Sequence, residues 1–141
     1  MRVLVYILVV LLLLAPEAMA ESLTEQDRAS FRDIISSQIE AFRADDGPRA
    51  YSYAAPTIRR IFPNPDIFMS MVREGYRPVY RPQSFAFGEA EIGNSGLPVQ
   101  RVTIVGPDGL TYDAVYTMER QPDGTWRING CSIVRAPDIS A

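Results

Sequence analysis

The stretch RQPDGTWRINGCSIV carries the only cysteine of the chain, Cys131, and its only tryptophan, Trp126. A thiol does nucleophilic work as a thiolate, which needs a neighbouring base or a positive field. Arg127 lies four residues from Cys131 along the strand and is too distant to supply one, so the expected role of Cys131 is that of a small apolar residue. A second group of interest is Glu89, Gln100 and Tyr116, because a carboxyl enclosed by apolar walls can act as acid or base. The alternative is a hydrogen-bonded cluster at a rim, with Glu89 in water, and this is the favoured reading. The chain has no histidine and no lysine, and its 14 basic residues are all arginine. That composition excludes histidine triads, histidine metal sites and Schiff-base chemistry.

Three further clusters bear on binding. Asp45 and Asp46 end a helix, where a negative charge meets the unfavourable end of the dipole; Arg43 or Arg49 is expected to compensate. Their ligand count falls short of a calcium site, so no metal and no cofactor are expected. Arg59 and Arg60 could hold an anion, although one solvated side chain beside one structural salt bridge is the commoner arrangement. Tyr53, Phe62, Phe68, Met69, Met71, Tyr76 and Tyr80 could line a pocket for an apolar ligand; at helical spacing such residues more often form plain core.

The elements that must position these groups follow from periodicity. Residues 23–46 read as a helix, with Phe31, Ile34, Ile35, Ile39 and Phe42 on one face and Thr24 with Asp27 at its start. Gly47-Pro48 stops it. Short helices then begin at Pro48, Pro56 and Pro65, and the last places Ile67, Phe68, Met71 and Val72 toward the core and ends at Gly75. From Val79 the period is two, and four strands are expected at about 80–91, 97–105, 110–120 and 125–134, separated by GNSG, GPDG and QPDG. Helices followed by an antiparallel meander make an α+β domain.

The two Pro-Asp-Gly turns set a register. Gln121 opposes Thr125, so Met118 meets Ile128, Tyr116 meets Gly130, Ala114 meets Ser132 and Tyr112 meets Val134, with Trp126 on the same face. Behind them Glu119 meets Arg127, Thr117 meets Asn129 and Val115 meets Cys131. Across the other turn Ile104 meets Tyr112, Val102 meets Ala114 and Gln100 meets Tyr116. Pairing Ile92 with Leu97 adds Phe85, Phe87 and Glu89 to that face, with Ala86, Gly88 and Ala90 behind. This register puts Cys131 on the side away from Trp126. The back face mixes charged and apolar residues, as either a subunit interface or a half-solvated sheet would.

The first twenty residues differ from the rest. Arg2 precedes an apolar run from Val3 to Leu14, and Ala18 and Ala20 have the spacing a signal peptidase reads. Pro16 and Glu17 end the run too early for a membrane span. The expectation is a signal peptide over residues 1–20, cleaved after Ala20, and one domain over residues 21–141 in the periplasm or secreted. A net charge of −3 argues against nucleic acid, and no later segment could hold the mature chain in a membrane.

The segments AFRADDGPRAYSYAAPTIRRIF, FMSMVREGYRPVYRP and YTMERQPDGTWRINGC resemble the DUF4864 family of exported bacterial proteins, a domain of unknown function grouped with the nuclear transport factor-like and cystatin-like folds. The resemblance implies N-terminal helices packed on a curved, four-stranded antiparallel meander, cone-shaped and often enclosing a pocket. Some relatives of that fold are isomerases or dehydratases, others ligand-binding or assembly modules. The isomerases point to a tyrosine with two acids; Tyr51, Tyr53, Tyr76 and Tyr112 are present, but Asp113 lies on the wrong face. The expected function is therefore a non-catalytic module that binds a small apolar ligand or a protein partner, with a candidate pocket of Tyr53, Phe62, Phe68, Tyr76, Phe87, Glu89, Gln100 and Tyr116 and no catalytic residue assigned. The alternatives are an isomerase- or lyase-type enzyme using Glu89 with a tyrosine, and a structural subunit that dimerises through the back of its sheet.

Overall fold

Thr24 starts the first helix with a reciprocal cap: its hydroxyl accepts from the Asp27 amide, and the Asp27 carboxylate accepts from the Thr24 amide, both at 3.0 Å. The computed structural model describes residues 22–137; the expected signal peptide lies outside the described residues. Helix α1 runs Glu25–Arg43 and buries Phe31, Ile35, Ile39 and Phe42, each worth roughly 1.5–3 kcal/mol of transfer free energy. It ends before the expected residue 46 because Asp45 turns left-handed (φ 51°). The Asp45 carboxylate is met by Arg81 at 2.9 Å, by Arg73 at 3.8 Å and by the Tyr80 hydroxyl. Those partners lie far along the chain and replace the expected Arg43, which pairs with Glu40, and Arg49. Asp46 instead caps α2 through the Arg49 amide.

Proline at the first turn opens each of α2 (Gly47–Ser52), α3 (Pro56–Ile61), α4 (Pro65–Gly75) and α5 (Arg77–Tyr80). Helix α5 takes Val79 and Tyr80, where the first strand was expected to begin, and that strand starts at Ser84 instead. On α4 the buried residues are Phe68, Met69 and Val72, while Ile67, expected in the core, is 46 % exposed. Among the described residues no helix is long and apolar enough to cross a membrane.

The sheet is a four-stranded antiparallel meander in the order β1-β2-β3-β4, with β1 at Ser84–Ile92, β2 at Pro98–Val105, β3 at Thr111–Arg120 and β4 at Trp126–Arg135. The helices cover one face, so the protein is α+β. Both Pro-Asp-Gly turns close as read, with left-handed Gly109 and Gly124 and closing bonds Gly106–Leu110 and Gln121–Thr125 of 2.9 and 2.7 Å. The β2–β3 pairing is the expected one throughout.

Two bulges change the rest. In β4 one residue is extra between the Met118–Ile128 and Thr117–Gly130 pairs. From there on Tyr116 meets Cys131, Ala114 meets Ile133 and Tyr112 meets Arg135, instead of Gly130, Ser132 and Val134. Cys131 and Ile133 therefore pack on the helix side, and Val134 is 62 % exposed. Trp126, which stands edge-on to Phe31 at 4.9 Å, shares that side with Cys131, contrary to the unbroken register. In β1 one residue is extra between Phe87 and Ala90. Ala90 turns inward and is buried, Glu89 is exposed, and Ile92 pairs with Pro98 in place of Leu97. Each bulge exchanges the faces of every residue beyond it.

Candidate functional site

The segment between α2 and α3 lies along the outer edge of β4. The Ile128 amide donates to the Tyr53 carbonyl and the Ala55 amide to the Ile128 carbonyl, both at 2.8 Å. This covers the edge only as far as the bulge. Beyond it the helices stand away from the sheet, and a cleft of about 310 Å³ opens between α3, α4 and α5 and the inner face of β3 and β4. Ile58, Phe62, Phe68, Met71 and Val79 supply most of its wall, and Tyr116, Asn129 and Cys131 its floor.

Specific bonds hold the wall. Tyr51 donates its hydroxyl to the Phe62 carbonyl at 2.7 Å. Arg59 donates to the carbonyls of Tyr51 and Ala54, both at 3.1 Å, with its guanidinium 4.8 Å from the centre of the Tyr51 ring. That is a structural role for Arg59, while Arg60 donates to the Thr57 hydroxyl at 3.3 Å. Gln38, buried on α1 and facing the cleft, donates to the Ala50 carbonyl at 3.1 Å. The Tyr76 hydroxyl donates to the Cys131 carbonyl at 3.1 Å, tying the end of α4 to β4.

Among the described residues none that lines the cleft is charged. Two polar atoms at the floor, Tyr116 Oη and Asn129 Oδ1, are buried and without a hydrogen-bond partner among the described residues, although nearly all buried polar atoms in native proteins have one. Tyr116 is 1 % exposed, and burial pushes its hydroxyl well above the usual tyrosine range, with the neighbouring Cys131 adding to the shift. Burial likewise pushes the Cys131 thiol up to about 12, against a smaller lowering from the Tyr116 hydroxyl. The two groups feel each other without reaching hydrogen-bonding geometry. A thiol so placed is neutral at ordinary pH and is no nucleophile.

Of the residues read as a pocket, the cleft gathers Phe62, Phe68, Tyr76 and Tyr116. Tyr53 lies at a separate polar groove beside Trp126 and Arg120. Phe87 packs edge-on against Phe85 at 5.9 Å. Glu89 is on the exposed side of β1, turned out by the bulge. Gln100 is buried, but its amide serves the β1 bulge, donating to the carbonyls of Arg101 at 2.8 Å and Gly88 at 3.0 Å. The Glu89–Gln100–Tyr116 constellation is thus dispersed. Sequence reasoning missed Asn129 and Cys131 at the floor and Gln38, Ile58 and Val79 in the wall. The available signal was Asn129-Gly130 inside a strand, since such a glycine often marks a bulge.

The span from the Thr24 cap through the end of the sheet matches the DUF4864 family, a domain of unknown function, over residues 24–141. The chain belongs to this family. No curated protein and no solved structure matches it. All nine elements among the described residues of this DUF4864 chain, and every described residue that lines the cleft, fall inside the matched span.

Proposed function

We propose that this DUF4864 domain is an exported, non-catalytic module that binds a small apolar ligand in the cleft over Tyr116. The observation that carries the reading is a cleft of about 310 Å³ with mostly apolar walls and two buried, unpartnered polar atoms on its floor. Ligand sites in proteins are of this kind: apolar concavities upward of about 300 Å³ with a few placed polar groups. Two features speak for binding over isomerase- or lyase-type catalysis. The carboxylate that such an enzyme would use, Glu89, lies outside the cleft, and the thiol beside Tyr116 is held protonated. The run Val3–Leu14 with Ala18 and Ala20 speaks for export into the periplasm or beyond. Helices gathered on one face of a meander also fit the nuclear transport factor-like cone that the resemblance implies.

Native mass spectrometry of protein released gently from the cell envelope tests this. The expected spectrum shows a mature chain beginning at Glu21 with a retained small molecule. Filling the cleft by Met71→Trp or Ile58→Trp should remove the added mass while the fold persists. A chain that carries nothing and takes up no apolar probe would defeat the ligand reading; a chain still beginning at Met1 would defeat export.

A further inference from the structure

The chemistry of the cleft floor narrows the class of ligand; this inference rests on reading the cleft as a ligand site. Tyr116 offers an O–H donor and Asn129 Oδ1 offers acceptor lone pairs, and neither has a partner among the described residues. Among the described residues none that lines the cleft carries charge, so an ionised ligand group would be buried without a counter-ion from them, at a large desolvation cost. A plain hydrocarbon would leave both polar atoms unpaired, which costs as much as a lost hydrogen bond. A hydroxyl both donates and accepts, so it can answer either atom or both. Size sets a second limit. An apolar cavity of about 150 Å³ holds one benzene, so a cleft of about 310 Å³ takes a body on the order of two rings.

We propose that the cleft selects a neutral, hydroxyl-bearing apolar molecule of about two-ring size, an alcohol or a phenol, over the matching hydrocarbon and over the matching carboxylate. Tyr116 and Asn129 are the residues that read the hydroxyl, while Phe62, Phe68 and Met71 hold the apolar body.

The test uses three probes that share one skeleton: biphenyl, 4-phenylphenol and biphenyl-4-carboxylate, titrated at pH 7 into the mature protein by calorimetry or tryptophan fluorescence. The phenol should bind about tenfold tighter than the hydrocarbon, as expected for one well-made hydrogen bond in a buried site, and at least tenfold tighter than the carboxylate. Tyr116→Phe should bring the ratio of phenol to hydrocarbon affinity down several-fold, and Asn129→Ala should lower it as well. Biphenyl binding as tightly as the phenol, the carboxylate binding tightest, or a ratio untouched by both substitutions would each overturn the hydroxyl inference and leave the apolar site standing. If none of the three binds, the ligand site falls with it.

Discussion

The two bulges of the sheet are alike in carrying one extra residue and differ in whether a side-chain donor meets the backbone there. In β1 the extra residue sits beside Gly88, and the Gln100 side chain from β2 fills the irregularity: its amide nitrogen makes two short bonds, to the Arg101 and Gly88 carbonyls, and a longer one of 3.4 Å to Glu89, while its amide oxygen is buried without a partner among the described residues. In β4 the extra residue lies between Ile128 and Gly130, and no side chain fills it. Asn129 Oδ1 and Tyr116 Oη are left unpaired, and a cleft opens above them. A protein can close a bulge with its own amide or leave it facing a cavity. The first use holds the sheet together; the second leaves unmet hydrogen-bonding capacity beneath the cleft.

The sharpest way to break the comparison is to truncate the polar side chain at each bulge. Gln100→Ala removes the donor from buried carbonyls and leaves a void, so it should cost about 3 kcal/mol. Asn129→Ala removes an oxygen that bonds to nothing and should change stability by less than about 1 kcal/mol. Urea unfolding monitored by Trp126 fluorescence reads both, as a large loss in midpoint for the first variant and almost none for the second. Similar losses for the two would mean that the β4 bulge is also closed by its own side chain, against the contrast drawn above.

The contrast also explains what could be read in advance. The buried face of α1, the Thr24 cap, the two Pro-Asp-Gly turns and the β2–β3 ladder are local consequences of periodicity and turn chemistry, and they came out as expected. A bulge is set by one residue, and the period-two pattern continues on either side of it, so counting outward from a turn carries the wrong parity past it. Glu89 therefore leaves the inner face, and Cys131 joins it. Glycine inside each strand, at Gly88 and Gly130, was the visible warning. The partners of Asp45 were illegible for another reason: Arg73 and Arg81 are brought to it by the packing of α4 and α5, which no local pattern encodes.

The inward turn of Cys131 has a consequence at high pH. Its thiol is raised from about 9 to about 12 in the folded protein. An unfolded chain releases that proton from about pH 9 upward while the folded one keeps it, so the unfolded state binds fewer protons and stability falls as pH rises. The stability from the protonated thiol is fully present below pH 9 and is lost progressively toward pH 12, by at most about 1.4 kcal/mol per pH unit. Thermal unfolding across pH 8–11 should show this decline, and Cys131→Ala should flatten it. Alkylation of the native protein by iodoacetamide at pH 8 should be on the order of a thousandfold slower than that of an unperturbed thiol. A decline with the same slope in Cys131→Ala, or rapid alkylation, would return the sulfur to the solvent side of the sheet.

The smallest expected effect separates a site from a structural hydrogen bond. Tyr116 is fully buried, so removing its hydroxyl would normally destabilise the protein by breaking a bond. Here the oxygen has no partner among the described residues, and burying an unpaired hydroxyl is itself a cost. Tyr116→Phe should therefore stabilise the ligand-free protein by about 1 kcal/mol, seen as a rise in Tm, and should weaken its hold on a hydroxyl-bearing ligand in the same preparation. The opposite signs carry the argument: a hydroxyl that serves only the fold lowers stability when it is removed, whereas one kept at the expense of stability serves what it binds. A fall in Tm in ligand-free Tyr116→Phe would show that the β4 floor is satisfied from within, as the β1 carbonyls are by the Gln100 amide nitrogen.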